Sequence, residues 1–256
     1  MSDKDKMDII AVIPARYNST RFEGKPLADI CGKPMVWWVY TRLKMLKEID
    51  EVYVACDSPI IQKTCFDLGL KCVMTSPLIK TSTERVYQVA RKIRARLYVC
   101  VNGDEPLIDP GVVKKVIPAS ADGFFASNLM TKIKSPAQVV DNTNIKVAAS
   151  PDGYALFMSR SPIPYPKATL DFDYYKHLGV LCYSISALRF FAKTPKGAIE
   201  TAEDINELRF IEHAKKLRMI EVEADTLSVD TPKDLEYVRK IIAEKIKRGE
   251  LAVDVD

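Results

Sequence analysis

The chain has 256 residues, of which 47% are hydrophobic, so it can bury a sizeable core in one large domain. Its 38 basic and 34 acidic residues leave a net charge of +4, which is too small to indicate a nucleic-acid-binding protein. Six cysteines without a C-x-x-C pair, and only two histidines, argue against a zinc site and indicate reduced thiols.

The chain opens with a charged segment and a six-residue apolar run, which is too short for a signal peptide. No later run is long enough to span a membrane, so we predict a cytoplasmic protein that binds neither membrane nor nucleic acid.

Strand and helix patterns alternate through the first half of the chain. Runs rich in Val, Ile and Tyr predict strands at Asp8–Ile13, Glu51–Ala55, Lys71–Met74 and Leu97–Val101. Helical patterns follow at Pro34–Lys47, Pro59–Leu68, Arg85–Arg96 and Pro110–Ile117. Proline after a capping residue marks three helix starts, at Ser58, Asp109 and Thr231. This alternation predicts an α/β fold in three layers, with a mostly parallel sheet and ligands at the carboxyl ends of its strands.

The middle of the chain, from about residue 121 to 190, departs from that alternation. Strand-like runs are predicted at Asn144–Ser150, Tyr154–Met158 and Gly179–Ile185. We interpret this part as an antiparallel lobe inserted in a single domain that spans residues 1–256. The α/β pattern then returns, with a helical stretch at Glu203–Leu217, strands at Arg218–Glu223 and Leu227–Val229, and a helix at Pro232–Arg248.

The loop after the first predicted strand has the composition of an anion site. Residues 16–25 contain Arg16, Ser19, Arg21 and Lys25, with Gly24 allowing close approach of the backbone. The alternative is a solvated basic loop, but the position directly after a strand favours phosphate binding. Neither a G-x-G-x-x-G nor a P-loop pattern is present.

Two aspartates follow strand-like runs elsewhere in the chain. Asp104 comes after Leu97–Val101, and Asp230 comes after Leu227–Val229. Each alone is compatible with an ordinary loop carboxylate. Together, beside a phosphate loop, they predict a Mg²⁺ site, because Mg²⁺ binds one or two carboxylates plus phosphate oxygens and waters.

Seven segments in order make the sequence resemble the 3-deoxy-manno-octulosonate (Kdo) cytidylyltransferases, or CMP-Kdo synthetases. They are I-P-A-R-Y-N-S-T-R-F-E-G-K-P-L at 13–27, D-I-C-G-K-P-M at 29–35, G-D-E-P-L-I at 103–108, V-D-N-T-N at 140–144, S-R-S-P-I-P-Y at 159–165, H-L-G-V at 177–180 and V-D-T-P-K-D-L at 229–235.

The resemblance implies a Rossmann-like nucleotidyltransferase fold and an enzyme that transfers CMP from CTP to an acidic sugar, releasing pyrophosphate, in surface-polysaccharide biosynthesis. It implies that the inserted lobe contributes to the acceptor site and to a homodimer interface. Catalytic roles would fall to Arg16, Lys25, Asp104 and Asp230, the two aspartates holding Mg²⁺. Nucleotide contacts are implied at Ala15, Arg16, Ser19, Arg21, Lys25, Thr81, Ser82, Thr83, Arg85 and Asn102. Acceptor contacts are implied at Arg160, His177, Tyr183 and Glu207.

The sequence also departs from the family pattern. Ile79 replaces a histidine and Asn102 a glutamine near the nucleotide, while Leu181 replaces a tyrosine near the acceptor. Asn206-Glu207 stands where the family has Glu-Gln. We hypothesise that CTP chemistry is retained with a changed acceptor, and that Glu207 favours one carrying an amine. The alternatives are a phosphonate or phosphate monoester acceptor, or a nucleotide-binding protein without turnover.

Overall fold

A computed structural model describes residues 7–18, 22–169, 171–224 and 227–253. The strands are β1 (Met7–Ala15), β2 (Asp29–Ile30), β3 (Lys33–Pro34), β4 (Glu51–Cys56), β5 (Cys72–Met74), β6 (Ala95–Val101), β7 (Ala126–Lys132), β8 (Lys146–Ala149), β9 (Ala155–Ser159), β10 (Tyr175–Ser184) and β11 (Arg218–Glu221). The α-helices are α1 (Met35–Lys44), α2 (Pro59–Asp67), α3 (Ser82–Lys92), α4 (Pro110–Lys114), α5 (Pro136–Val140), α6 (Ile185–Lys193), α7 (Ala198–Glu203), α8 (Leu208–Glu212) and α9 (Pro232–Lys247).

Within the described residues, nine strands form one sheet whose main path runs β11-β7-β10-β6-β1-β4-β5. The pairs β1–β4, β1–β6, β4–β5 and β7–β11 are parallel. Strand β10 lies antiparallel between β6 and β7, and it also pairs with β8, which carries β9. The predicted α/β class, with a mostly parallel sheet and a smaller antiparallel part, is confirmed.

The sheet is buried on both faces, as a parallel sheet requires. Along β1, Ala11 and Ile13 belong to the apolar core that includes α1 and α9. The alternate residues Ile10 and Val12 pack in the opposite core with residues of α3 and α6. Three layers result, and the carboxyl ends of β1, β4 and β6 open at the same edge.

The three predicted helix caps are confirmed. Ser58 accepts from the Ile60 amide, Asp109 accepts from two amides of α4, and Thr231 forms a reciprocal capping box with Asp234. Helix α3 begins earlier than its predicted start because the Thr81 hydroxyl caps it.

Three assignments differ from the predictions. The stretch Leu227–Val229 is not a strand, although the Val229 amide donates to the Asp104 carbonyl at 2.8 Å. The helical stretch predicted at Glu203–Leu217 is interrupted, because Asp204 adopts a left-handed conformation (φ 50°) between α7 and α8. Of the predicted lobe at 121–190, β7 and β10 are integral to the main sheet, whereas β8 and β9 extend from it.

No helix in the described ranges is both long and apolar enough to cross a membrane.

Candidate active site

Two clefts meet at the carboxyl edge of the parallel strands. The first has a volume of 330 Å³ and the second 270 Å³, and they share Asn102, Asp104 and Asp230. The first cleft is bordered by the loop after β1 and the start of α3, and the second by β10 and the loop before β8. We refer to them as the nucleotide cleft and the acceptor cleft, after the predicted residues that line them.

The loop after β1 closes on itself before it enters the nucleotide cleft. Gly24 adopts a left-handed conformation (φ 68°), and its amide donates to the Tyr17 carbonyl at 2.9 Å. A short 3-10 turn, Lys25–Leu27, follows and points Lys25 into the cleft. Arg16 also lines the cleft and donates to the Lys80 carbonyl at 3.4 Å. The predicted residues Ser19 and Arg21 lie outside the described residues.

Lys25 lies between the two predicted metal ligands. Its Nζ is 2.8 Å from Oδ2 of Asp104 and 3.5 Å from Oδ1 of Asp230, and it donates to the Val229 carbonyl at 2.9 Å. The structure therefore already holds both carboxylates around one positive charge. No cluster of three or more His, Cys, Asp or Glu side chains able to hold a metal occurs in the described part of the chain. Two carboxylates that leave the other positions to ligand oxygens and water fit Mg²⁺.

Arg85 forms the floor of the nucleotide cleft. Its side chain is 1% exposed, and Nη2 lies 3.2 Å from Oδ2 of Asp57. The other oxygen of Asp57 accepts from the Tyr17 amide at 3.0 Å. Nη1 donates to the Thr75 hydroxyl at 2.5 Å. Arg85 thus ties α3 to the end of β4 and, through Asp57, to the loop after β1.

The remaining predicted nucleotide residues lie at different depths. Ser82 and Asn102 line the nucleotide cleft, whereas Thr81 is buried as the cap of α3. Ala15 and Thr83 are fully buried and do not border either cleft. The Thr83 hydroxyl lies 3.2 Å from the hydroxyl of another predicted residue, Tyr183.

Asn102 is positioned by a glycine on the neighbouring strand. The main-chain N–H of Asn102 donates to the Gly179 carbonyl at 3.0 Å, at the junction of β6 and β10. Any Cβ at Gly179 would overlap the Asn102 side chain. The glycine in the H-L-G-V segment therefore leaves room for the side-chain amide of Asn102 between the two clefts.

Arg160 gives the acceptor cleft a positive charge. Its guanidinium donates to the main-chain carbonyls of Glu203, Asn142 and Asp204 at 2.8, 3.1 and 3.2 Å. These acceptors are neutral, so they orient the guanidinium without neutralising it. Lys176 adds a second cation to the wall. The cleft is suited to a ligand that carries an anionic group.

His177 is a neutral group in the acceptor cleft. Asn128 donates through Nδ2 to the carbonyls of Leu178 and Val180, so its Oδ1 is the acceptor of the 2.9 Å bond with Nδ1 of His177. Nδ1 therefore carries the proton and Nε2 is an acceptor. Burial, with Arg160 as a second cause, lowers the pKa of His177 to about 4. The ring stays uncharged at neutral pH.

The structure places Tyr183 and Glu207 away from both clefts. Tyr183 is fully buried and Glu207 is 5% exposed, and neither residue lines the nucleotide or the acceptor cleft. Burial raises the pKa of Glu207 to about 7 and the pKa of Tyr183 well above its ordinary value. The hypothesis that Glu207 meets an amine of the acceptor gains no support from this placement.

Glu105 is a cleft residue that the sequence reasoning missed. It borders the acceptor cleft, and burial, followed by the neighbouring Asp104, raises its pKa to about 8. Lys176 and Asn144 were also missed as cleft residues. All three lie in segments that carried the family resemblance or adjoin one, and their position next to predicted residues was the available signal.

Comparison with known proteins identifies the family to which this chain belongs. The sequence matches the family model described as "Cytidylyltransferase" over residues 10–217. It is 38% identical over 254 residues to the 3-deoxy-manno-octulosonate cytidylyltransferase of Geobacter sulfurreducens, covering 94% of this chain and all of that one. The chain belongs to the CMP-Kdo synthetase family of cytidylyltransferases. It is therefore a nucleotidyltransferase, as predicted.

Other relatives agree with this assignment. The chain is 36% identical over 243 residues to the 8-amino-3,8-dideoxy-manno-octulosonate cytidylyltransferase of Shewanella sp. (strain W3-18-1), covering 93% of this chain and 99% of the relative. A solved CMP:2-keto-3-deoxy-manno-octonic acid synthetase complexed with CTP superimposes with a TM-score of 0.88 at 36% identity, over 93% of this chain and 99% of that one. The 4-diphosphocytidyl-2C-methyl-D-erythritol synthase of Anaerococcus prevotii, with 15% identity and a TM-score of 0.61, shares the fold.

Proposed function

We propose that this enzyme transfers CMP from CTP to a Kdo-type ulosonate, either Kdo itself or its 8-amino derivative, and releases pyrophosphate. The observation that carries the proposal is the shared wall of the two clefts. Asn102, Asp104 and Asp230 border both, so a nucleotide in one and an acceptor in the other would meet at the two carboxylates. Relatives with each of the two acceptors in their names support this substrate class.

The phosphate-binding role is proposed for Arg16, Lys25 and Arg85. In the transfer, an acceptor hydroxyl oxygen bonds to the α-phosphorus, the bond from that phosphorus to the bridging oxygen breaks, and pyrophosphate leaves. The hydroxyl proton is released. Because the α-phosphate is shielded by negative oxygens, neutralisation by fixed cations dominates the rate.

Asp104 and Asp230 are proposed to hold Mg²⁺, with Lys25 yielding its place between them. When bound, the metal would neutralise charge on the phosphate and acceptor oxygens. Arg160 and Lys176 would bind the acceptor's carboxylate. The neutral Nε2 of His177 would accept a hydrogen bond from an acceptor hydroxyl, since its partner Nδ1 holds the proton.

A homodimer and a cytoplasmic location belong to the same proposal. Strand β9 pairs only with β8 within the described residues, and its Leu156 is 60% exposed, which would suit contact with a second copy.

The cytoplasmic location is supported by the six free cysteines, which are typical of a reducing compartment.

The test is pyrophosphate release with CTP and Mg²⁺ in the presence of Kdo, 8-amino-Kdo, a phosphonate and a phosphate monoester, with UTP as the nucleotide control. We expect turnover with one or both ulosonates. Turnover with a phosphonate or phosphate monoester alone would refute the proposed acceptor class while leaving cytidylyl transfer intact.

A further inference from the structure

One carboxyl oxygen of Glu105 is buried without a hydrogen-bond partner in the described residues. The side chain is 6% exposed, and its Oε2 has no hydrogen-bond partner among the described residues. Buried polar atoms are nearly always paired, so an unpaired one next to a ligand cleft calls for a partner that arrives with the ligand. Asp104, the preceding residue, forms an ion pair with Lys25, whereas Oε2 of Glu105 has no hydrogen-bond partner in the described residues.

The neighbours of this carboxyl place it on the acceptor side. The Gly179 backbone and the Lys176 ammonium both lie close enough to lower the pKa of this carboxyl, against the larger opposite effects of burial and Asp104. Both residues line the acceptor cleft. The same wall holds Asn144 and His177, so hydrogen-bonding groups converge on the cleft from several elements.

Glu105 also borders a different cleft, of 350 Å³, that contains Arg42 and Lys245. These cations have other partners. Arg42 donates to the Ile108 carbonyl at 2.5 Å, and Lys245 pairs with Glu250 at 2.9 Å. Neither cation forms an ion pair with Glu105, so this second cleft does not supply the missing partner of Oε2.

We propose that Glu105 is an acceptor-binding residue whose Oε2 forms a hydrogen bond with a polar group of the sugar, either a hydroxyl or an ammonium. This inference rests on the proposed function and deepens it. A site built to pair with a substrate donor discriminates strongly against ligands that lack it, because the buried partner is otherwise left unpaired. Glu105 thereby selects for a polyhydroxylated or aminated acceptor.

The experiment compares wild type, Glu105→Gln and Glu105→Ala by steady-state kinetics with Kdo and with 8-amino-Kdo, and by calorimetric CTP binding. We expect Glu105→Ala to raise the acceptor KM at least ten-fold, with the CTP dissociation constant within two-fold of wild type. Glu105→Gln keeps a carbonyl oxygen of similar shape. A ten-fold rise in its KM for the amino sugar alone identifies an ammonium partner, and a KM near wild type for both sugars identifies a hydroxyl.

The control is Glu223→Ala, an exposed carboxylate on the other cleft, which is expected to leave both acceptor KM values unchanged. An acceptor KM within two-fold of wild type in Glu105→Ala overturns the inference while wild-type turnover upholds the proposed function. Equal losses of CTP and acceptor affinity in both Glu105 variants also overturn it, because they show a structural role. If wild type uses neither ulosonate, the proposed function fails and the inference falls with it.

Discussion

Replacing Glu207 by glutamine is expected to remove a pH dependence of stability. Burial raises the pKa of this carboxyl from its ordinary 4.5 to about 7 in the folded protein. The folded state therefore favours the protonated form. The stabilisation is fully present below pH 4.5 and is lost as the pH rises through 7. Since one pKa unit corresponds to about 1.4 kcal/mol, wild type should lose about 2 to 3 kcal/mol relative to Glu207→Gln between pH 5 and pH 8.

Urea denaturation followed by circular dichroism at pH 5, 6.5 and 8 measures this difference. Glu223→Gln, at an exposed position, is the matched control and should track wild type at each pH. A difference in the free energy of unfolding between wild type and Glu207→Gln that is the same at all three pH values would refute the inference that this carboxyl is buried and protonated.

The same variant tests the hypothesis that Glu207 favours an acceptor carrying an amine. Because Glu207 does not line the acceptor cleft, we expect its ratio of kcat/KM for 8-amino-Kdo and Kdo to match wild type, and a ten-fold change in that ratio would restore the hypothesis.

Three further predictions concern single side chains. The buried Lys146 donates to three main-chain carbonyls, so Lys146→Met should lower the free energy of unfolding by about 3 kcal/mol or more, measured by urea denaturation; a loss below about 1 kcal/mol would contradict this. The imidazole of His177 should stay neutral down to pH 5 in an NMR titration, its signals assigned by their absence in His177→Gln, and a midpoint near 6.5 would contradict its burial. Asp104→Asn should reduce pyrophosphate release at least 100-fold, as removal of a main electrostatic contributor does, and near-wild-type release would exclude a catalytic role.

The sequence was most informative where local chemistry determines structure. Helix caps at Ser58, Asp109 and Thr231 depend on one side chain and its following proline, and all three were predicted. The loop after β1 and the residue Asp104 could also be placed, because strand ends of a parallel sheet meet at one edge. Predicting these features requires only the local sequence pattern and the rule that ligands bind at the carboxyl ends of parallel strands.

Long-range packing set the limit of sequence reasoning. Strand β10 lies between β6 and β7, so Tyr183 and Leu181 are enclosed on a central strand, which their local pattern does not reveal. Glu207 is polar and follows Asn206, which lines the nucleotide cleft, yet it points into the core. Conversely, nothing in the local sequence distinguishes Glu105 from an ordinary loop carboxylate, and its unpaired oxygen is visible only in three dimensions.

The position of Lys25 leads to a last prediction, about the free enzyme. Its ammonium lies 2.8 Å from Asp104 and 3.5 Å from Asp230, where it offsets the repulsion between two carboxylates. A divalent cation entering between them must displace that charge, and unit charges about 4 Å apart near a protein surface interact by up to about 4 kcal/mol. Lys25→Met should therefore bind Mn²⁺ at least ten-fold more tightly than wild type without nucleotide, measured by electron paramagnetic resonance.

The same substitution should weaken CTP binding, because it removes a cation from the phosphate loop. Opposite changes in metal and nucleotide affinity separate this exchange of partners from a general loss of structure, which would lower both. Lys80→Met removes another cation of the same cleft and serves as the control; it should weaken CTP binding with a smaller effect on Mn²⁺. Unchanged or weaker Mn²⁺ binding in Lys25→Met would mean that the metal does not compete with this ammonium, and Asp104 and Asp230 would then lose their assignment as its ligands.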